Sequence, residues 1–80
     1  MIVKSASLNI SDFESSTDAS LISIHNKYFF IDLWGSPTSE PEGYSYRSES
    51  KSEIEGLWKS LTEKEGLKLS DIIELGFKAL

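Results

Sequence analysis

Hydrophobic and polar residues alternate with two different periods along the chain. Near the N-terminus, alternate positions are apolar at Ile2, Ala6, Leu8 and Ile10, with Lys4 as the one interruption, and this pattern is typical of a half-buried strand. The period becomes helical after residue 49, so we expect a single domain, 1–80, with a β-rich half, 1–49, and a two-helix half, 50–80. The polar, acidic stretch 11–20 is interpreted as a solvated linker anchored by Phe13.

The most apolar stretch is residues 21–34, LISIHNKYFFIDLW. It is rich in β-branched and aromatic residues and too evenly apolar for an amphipathic helix. Asn26 tolerates the left-handed backbone of a tight turn, so the pattern predicts a β-hairpin with a two-residue loop at Asn26 and Lys27. Because side chains alternate between the faces of a strand, this register predicts a core face. Its residues are Ile22, Ile24, Phe29, Ile31 and Leu33.

The opposite face of the hairpin would carry three aromatic residues, Tyr28, Phe30 and Trp34, beside Asp32. An ordinary solvated face does not hold so many rings, and large exposed apolar patches usually mark interaction sites. The sequence leaves open whether this face is buried within the monomer, in a homodimer or by a different protein.

A loop with both prolines, residues 35–43, leads into a further strand at residues 44–48. If this strand pairs with the second arm of the hairpin, Tyr44 and Tyr46 join the aromatic face. Glu40 and Glu42 would then lie at its rim.

The C-terminal half predicts two helices. The first begins with two candidate capping boxes, Ser50 with Glu53 and Ser52 with Glu55. Either one fits the start of this helix. This start precedes an apolar stripe at helical spacing, made of Ile54, Leu57, Trp58 and Leu61. Gly66 suits a left-handed helix stop, and Ser70 suits the N-cap of a second helix. The buried side of that helix is expected to be Ile72, Ile73, Gly76, Phe77 and Leu80, with Trp58 close to Gly76.

These elements together predict an α+β fold. We expect a three- or four-stranded antiparallel sheet followed by two C-terminal helices packed on one face of the sheet.

Charge and composition narrow the functional classes. The net charge of −5 disfavours a nucleic-acid or anionic-membrane surface, because phosphate binding depends mainly on Lys and Arg. The chain has no cysteine, so it has no disulfide framework, and no apolar run is long enough to cross a bilayer. A soluble cytoplasmic protein is therefore expected.

The sequence shows no catalytic, metal or cofactor motif. His25 is the only histidine and lies beside the predicted turn, so we expect no zinc site. Paired carboxylates such as Glu40 and Glu42 lie in a Pro-rich loop, where solvent keeps them ordinary acids. We therefore expect a protein that is not an enzyme and that needs neither a metal nor a cofactor.

The stretch YSYRSESKSEIEGLWKSLTEKEGLKLSDIIELGFKAL, residues 44–80, resembles the strand, helix, turn and helix of ribbon-helix-helix regulators and antitoxins. The resemblance implies an intertwined dimer whose paired strands enter the major groove of DNA. It also implies that Ser45, Arg47 and Glu49 face bases, while Leu69 and Ser70 lie on the DNA backbone. A dimeric DNA-binding regulator is therefore the alternative function.

The leading interpretation is a small acidic protein-binding module. In general character the chain resembles inhibitors carried by phages and mobile elements, namely anti-CRISPR, anti-restriction and toxin-immunity proteins. Such a protein would occlude a basic partner surface, with aromatic anchors and steering carboxylates. The anchors would be Tyr28, Phe30, Trp34, Tyr44 and Tyr46, and the steering charges would be Asp32, Glu40 and Glu42.

Overall fold

The computed structural model describes residues 1–13, 16–35 and 42–80. Within these ranges the chain forms five strands and two helices. The elements are β1 (Ile2–Leu8), β2 (Thr17–Ile24), β3 (Tyr28–Trp34), β4 (Gly43–Ser48), α1 (Lys51–Glu63), α2 (Leu69–Glu74) and β5 (Lys78–Ala79). The α+β class is confirmed, and the expected three or four strands are corrected by the two-residue strand after α2.

The strands form one antiparallel sheet in the order β1-β2-β3-β4-β5. Each strand therefore lies beside its neighbour in sequence, and the two helices are inserted between the last two strands. Both helices pack on one face, where they close a single hydrophobic core. Its largest fully buried side chains are Ile31, Leu33, Ile54, Leu61, Leu67 and Ile72.

The hairpin between β2 and β3 has a three-residue loop, so the predicted two-residue loop is wrong. Leu21 lies opposite Ile31, and His25 and Asn26 both adopt a left-handed backbone, with φ of 55° and 52°. The Lys27 N–H closes this turn by donating to the Ile24 carbonyl at 3.1 Å. Lys27 is the third residue of the loop, and β3 begins directly after it.

The longer loop shifts the register by one residue, and such a shift turns every side chain of one strand to the other face. In β2, Ala19, Leu21 and Ser23 therefore face the core. Ile22 and Ile24 face away from it, which corrects their predicted place in the core. The prediction for β3 is confirmed, since the buried residues of that strand are Phe29, Ile31 and Leu33.

A bulge alters the alternation in β1. The pairing with β2 is irregular between Ile2 and Lys4, so Ile2 lies opposite Ile22 while Ala6 lies opposite Ala19. An added residue of this kind turns the strand before it to the other face. Ile2 therefore points away from the core and is 62% exposed, although the sequence pattern placed it with Ala6.

The interpretation of residues 11–20 as a solvated linker is wrong, because the segment 11–13 contacts the connection between the helices and residues 17–20 belong to β2. The Ser11 N–H donates to the Leu67 carbonyl at 2.8 Å, and Asp12 accepts the Leu69 N–H at 3.0 Å. Ile10 and Phe13 are both buried in the core. These contacts fasten the segment to the connection between the helices.

The predicted N-cap and buried stripe of the first helix are confirmed, but the capping box predicted at Ser50 is incomplete, because the Ser50 N–H donates to the Ser48 hydroxyl and not to Glu53. Ser50 is its N-cap and accepts the Glu53 N–H at 3.3 Å, and the buried residues of the helix are Ile54, Trp58 and Leu61. Leu57 of the same stripe packs partly buried against the core.

The second helix is shorter than predicted and begins after Lys68, not after Ser70. Gly76 has a φ of +103°, which ends the helical path and directs Phe77 into the core. Ile73 and Leu80 are exposed, so their predicted burial is wrong. The ring close to Gly76 belongs to Tyr46 and not to Trp58.

Candidate functional site

The sheet face that points away from the helices is the candidate site, and we call it the open face. Its central positions come from four strands whose side chains lie directly opposite one another. They are Ile2, Asp18, Ser20, Ile22, Ile24, Tyr28, Phe30, Asp32, Trp34, Ser45 and Arg47. The helix residues that enter the core do so on the other side of the sheet.

Apolar side chains form a continuous row at the hairpin end of the open face. Ile2 lies opposite Ile22, which lies opposite Phe30, so three adjacent strands contribute one residue each. Ile24 and Tyr28 form the next pair towards the turn. Ile24 is 41% exposed, while Tyr28 and Phe30 are half-buried. This row is an apolar surface in contact with solvent.

Cations cover part of these rings. The Arg47 guanidinium carbon lies 5.0 Å from the centre of the Tyr28 ring and 6.0 Å from that of Phe30. The Lys27 Nζ lies 5.3 Å from the Tyr28 ring centre. All three distances suit a cation–π contact. The hairpin end of the open face is therefore basic and aromatic.

A carboxylate lies in the middle of the open face. Asp32 is half-buried, and its Oδ1 accepts a hydrogen bond from the Ser45 hydroxyl at 2.7 Å. Because Ser45 is directly opposite on β4, this bond holds the carboxylate across the strand pair. Asp32 is thus a positioned charge.

The far end of the open face combines an exposed indole with acidic side chains. Trp34 is 48% exposed, and Asp18 lies directly opposite it on β2. Exposed Glu42 comes immediately before β4, where its carbonyl accepts the Gly35 N–H at 3.1 Å. The charge on this face therefore changes sign along the strands, from basic beside Tyr28 to acidic beside Trp34.

The strand pairing at Trp34 requires glycine as its partner. Gly43 lies opposite Trp34, and a Cβ on Gly43 would lie only 2.2 Å from the Leu33 carbonyl oxygen. Any side chain there would force β4 away from β3. The position of the exposed indole thus depends on a neighbour without a side chain.

Tyr44 and Tyr46 do not belong to this face, and their predicted place on it is wrong. They lie opposite Leu33 and Ile31, and those two residues point into the core. The centre of the Tyr44 ring lies 6.1 Å from that of the Phe13 ring. Ser45 and Arg47 occupy the positions on the open face that the sequence reading assigned to the two tyrosines.

Tyr46 instead joins β4 to α1. Its hydroxyl donates a hydrogen bond to the Glu53 carboxylate, and its ring centre lies 5.5 Å from that of Phe77. The bond to Glu53 raises the pKa of the Tyr46 hydroxyl, and burial and the charge of Glu53 act in the same direction. This arrangement stabilises the fold on the core side of the sheet.

The remaining predicted site residues fall in different places. Glu40 lies outside the described residues, whereas Glu42 is exposed at the acidic end. Of the residues implied by the ribbon-helix-helix resemblance, Ser45 and Arg47 lie on the open face. Leu69 and Ser70 lie in the first turn of α2, on the helix side of the sheet. The structure therefore separates the two pairs, and β4 is paired on both edges, by β3 and by β5.

The aromatic face predicted from the sequence lacked three isoleucines of the open face, Ile2, Ile22 and Ile24, and Arg47 was predicted only as a DNA contact. One available signal was His25, because histidine, like asparagine, is enriched among residues with a left-handed backbone. Two such residues in succession favour a turn that begins one position earlier than the predicted loop.

The described parts of the chain hold no group of three or more His, Cys, Asp or Glu side chains arranged to bind a metal ion. Within the same residues, no helix has the length and apolar character needed to cross a membrane. Comparisons of the chain with protein-family models, curated proteins and solved structures found no match.

Proposed function

We propose that the chain is a non-enzymatic protein-binding module that docks through its open face and occludes a basic surface of its partner. The observation that carries the proposal is Trp34, which is 48% exposed on a sheet face that neither helix covers. Asp18 and Glu42 lie beside it. Inhibitors of the anti-CRISPR, anti-restriction or immunity type are the class of protein that this arrangement suits best.

An anchoring role for Trp34 follows from its exposure. A tryptophan side chain buries roughly 150–250 Å² when it is fully covered. With half of that area open, its burial by a partner would contribute roughly 2–3 kcal/mol at 25 cal/mol per Å². A contribution of this size is typical of a residue that dominates an interface.

The apolar row adds a second contact surface at the hairpin end of the open face, while Trp34 lies at the far end. On β2, Ile22 lies opposite Phe30 and Ile24 lies opposite Tyr28. Covering these side chains adds to the affinity with the apolar area that is buried. The docking surface therefore runs along β2 and β3 and not across β4.

The charges of the chain favour a basic partner. The chain carries a net charge of −5, so its overall field attracts a positively charged protein. Close to Trp34 the local charges come from Asp18, Asp32 and Glu42, which have the same sign as the net charge. Matching a basic partner region to this end of the open face would speed encounter and set the orientation.

The test begins with a partner captured from the native host and purified. Its affinity is then measured for the wild-type chain and for Trp34→Ala and Asp18→Lys. We expect Trp34→Ala to weaken binding by more than about tenfold, through loss of the anchor. Asp18→Lys should slow association and reduce its dependence on salt.

The matched control is Ile73→Ala. Ile73 is also a large apolar residue, 57% exposed, but it lies on α2 on the other side of the molecule. This variant should bind within about twofold of the wild type. Unchanged affinity of Trp34→Ala, or an equal loss in Ile73→Ala, would count against the proposed docking surface.

Two other results would replace the proposal. Retention of duplex DNA that depends on Arg47 and falls steeply with salt would support the DNA-binding alternative. A stable homodimer that protects Trp34, with no foreign partner captured, would support a structural role for the open face.

A further inference from the structure

The acidic end of the open face contains a shallow trough beside the exposed indole. Its volume is about 580 Å³, and it is lined by small residues of β1 and β2, with Trp34 as the one large side chain. The lining residues are Ser5, Ala6, Ser7, Asp18, Ala19, Ser20 and Trp34. Sites for small ligands measure roughly 300–1,000 Å³. The trough therefore has room for a long side chain that lies flat on the sheet.

The strand pairing explains the shape of the trough. Ser7 lies opposite Asp18, which lies opposite Trp34, so these three side chains form one row across β1, β2 and β3. In the next row, Ser5 lies opposite Ser20. Side chains of a strand stand roughly perpendicular to the sheet. The long indole therefore rises above its serine neighbours and forms one wall of the trough.

The charge of the trough is negative. Of the described residues that line it, Asp18 alone carries a charge, and it is exposed and forms no ion pair with another described residue. The positive groups of the sheet lie elsewhere. The N-terminal ammonium, Lys27 and Arg47 are at the hairpin end. Lys4 faces the core side of β1, and Lys78 lies on β5, beyond β4. A ligand in the trough therefore meets a carboxylate without a counter-charge, which favours a cation.

A guanidinium group suits this trough better than an ammonium group. It is flat and weakly hydrated, so it can stack on an aromatic ring and donate two parallel hydrogen bonds to a carboxylate. Trp34 and Asp18 offer both partners side by side, because directly opposed residues have Cβ atoms roughly 4.5–5.5 Å apart. Ser7 and Ser20 are the neighbours of Asp18 on the same face, and their hydroxyls can accept further N–H groups. An ammonium group is compact and strongly hydrated, and it does not stack in this way.

We propose that the trough receives an arginine side chain of the partner, with its guanidinium stacked on Trp34 and paired with Asp18. This inference rests on the proposed docking function and makes it more specific, since it names the group of the basic partner surface that the acidic end of the open face recognises. Arginine, and not lysine, is then the residue of the partner that contacts the indole.

The test uses three capped tripeptides, Gly-Arg-Gly, Gly-Lys-Gly and Gly-citrulline-Gly, and does not need the partner. Citrulline has the shape of arginine without its charge. Binding is followed by NMR through the indole N–H of Trp34, whose signal is assigned by its loss in Trp34→Phe. We expect the arginine peptide to shift this signal and the Asp18 amide. It should bind roughly 2- to 5-fold more tightly than the citrulline peptide, the effect of one exposed cation–π contact, with the lysine peptide between them.

Asp18→Asn is the matched variant, because it removes the charge and keeps the shape. Since Asp18 is exposed and has no ion pair among the described residues, the fold should persist, and the NMR spectrum of the core amides checks this. In this variant the arginine peptide should bind no better than the citrulline peptide. Glu55→Gln removes an exposed acid from α1, on the helix side of the sheet, and should leave the preference unchanged. Equal binding of the three peptides to the wild type, or the same preference in Asp18→Asn, would overturn the proposal.

These outcomes are distinct from those of the docking test. If Trp34→Ala weakens binding of the captured partner but the peptides are not distinguished, the open face docks through a different contact and only the arginine assignment fails. If the peptides are distinguished but Trp34→Ala leaves the affinity for the partner unchanged, the trough binds guanidinium groups and the proposed docking surface fails.

Discussion

Two glycines show how far the effect of a single residue depends on its backbone. Gly76 has a φ of +103°, and a Cβ there would lie 3.2 Å from the Tyr46 ring. We expect Gly76→Ala to lower the free energy of unfolding by roughly 1–3 kcal/mol, because L side chains rarely adopt this conformation. Urea denaturation measures the change.

Gly56 provides the control for that substitution. It lies within α1, and a Cβ there would meet nothing within 4 Å. Gly56→Ala should therefore raise the free energy of unfolding by roughly 0.5–1 kcal/mol, since alanine restricts the unfolded chain and favours the helix. Equal effects of the two substitutions would contradict the backbone argument.

A single carboxylate makes the second helix sensitive to acid. The Lys68 N–H donates to Asp71 at 2.9 Å, and this bond lowers the pKa of the Asp71 carboxyl. The Lys64 ammonium, 3.1 Å away, lowers it further. A lowered pKa in the folded state contributes stability above the pKa of the unfolded chain. That stability is lost as the pH falls through the folded value.

The expected result is that Asp71→Asn lowers the free energy of unfolding at neutral pH. The difference between the wild type and this variant should shrink as the pH falls below about 5. Denaturation curves at several pH values measure it. The control is Glu65→Gln, which removes an exposed acid next to Gly66. A difference that stays constant down to low pH would show that the ionised carboxyl is not responsible.

At the scale of elements, the sequence predicts which segments are strands and helices better than it predicts how they face. The buried residues of α1 and β3 follow from their periods alone, because each period matches one buried side. The face of β2 depends on whether the hairpin loop has two residues or three. That choice is set by the backbone of His25 and Asn26 and leaves no trace in the hydrophobic pattern.

The same limit explains the errors in the candidate site. Along β4, Tyr44 and Tyr46 alternate with Ser45 and Arg47, so the two pairs lie on opposite faces of the strand. A register shifted by one residue would have placed the tyrosines beside the rings of β3. Strand β5 has only two residues, which are too few to show the alternation of apolar and polar positions that identifies a strand. Its position follows from Gly76, which ends α2 and returns the chain to the sheet.

Hydrogen bonds between β4 and α1 can be tested through the pKa of Tyr46. Glu53 accepts hydrogen bonds from the Tyr46 hydroxyl and, at 3.2 Å, from the Ser48 hydroxyl. Since the first of these bonds is the main cause of the raised pKa of Tyr46, Glu53→Gln should bring that pKa down towards its ordinary value. Carbon NMR of the tyrosine rings follows the titration.

The sign of the effect on stability follows from the raised pKa. The contribution of the Tyr46 hydroxyl to the free energy of unfolding is complete at neutral pH. It is lost as the pH rises through the folded-state pKa of this hydroxyl. Glu49→Gln removes an equal charge from an exposed residue and should leave the titration of Tyr46 unchanged. If both variants shift that titration equally, general charge and not the hydrogen bond sets the pKa.

For the whole molecule, the arrangement of layers determines which surface is available. Both helices pack on one face of a five-stranded sheet, counted over the described residues, so the other face has no second layer. An antiparallel sheet can leave one face in water, but such a face is usually polar. The isoleucines and aromatic rings on the open face depart from that rule, and this departure is the basis of the proposed binding role.

The exposure of that surface can be measured through the two tryptophans, which lie in opposite layers. Trp34 is 48% exposed on the open face, whereas Trp58 is 7% exposed in the core. Acrylamide is neutral and is not repelled by a net charge of −5, so it should quench Trp34 readily. Trp34→Phe leaves Trp58 as the emitter and should resist quenching. If quenching of the wild type declines as its concentration rises, a second copy covers the open face. If it declines only when the captured partner is added, that partner occupies the face as proposed.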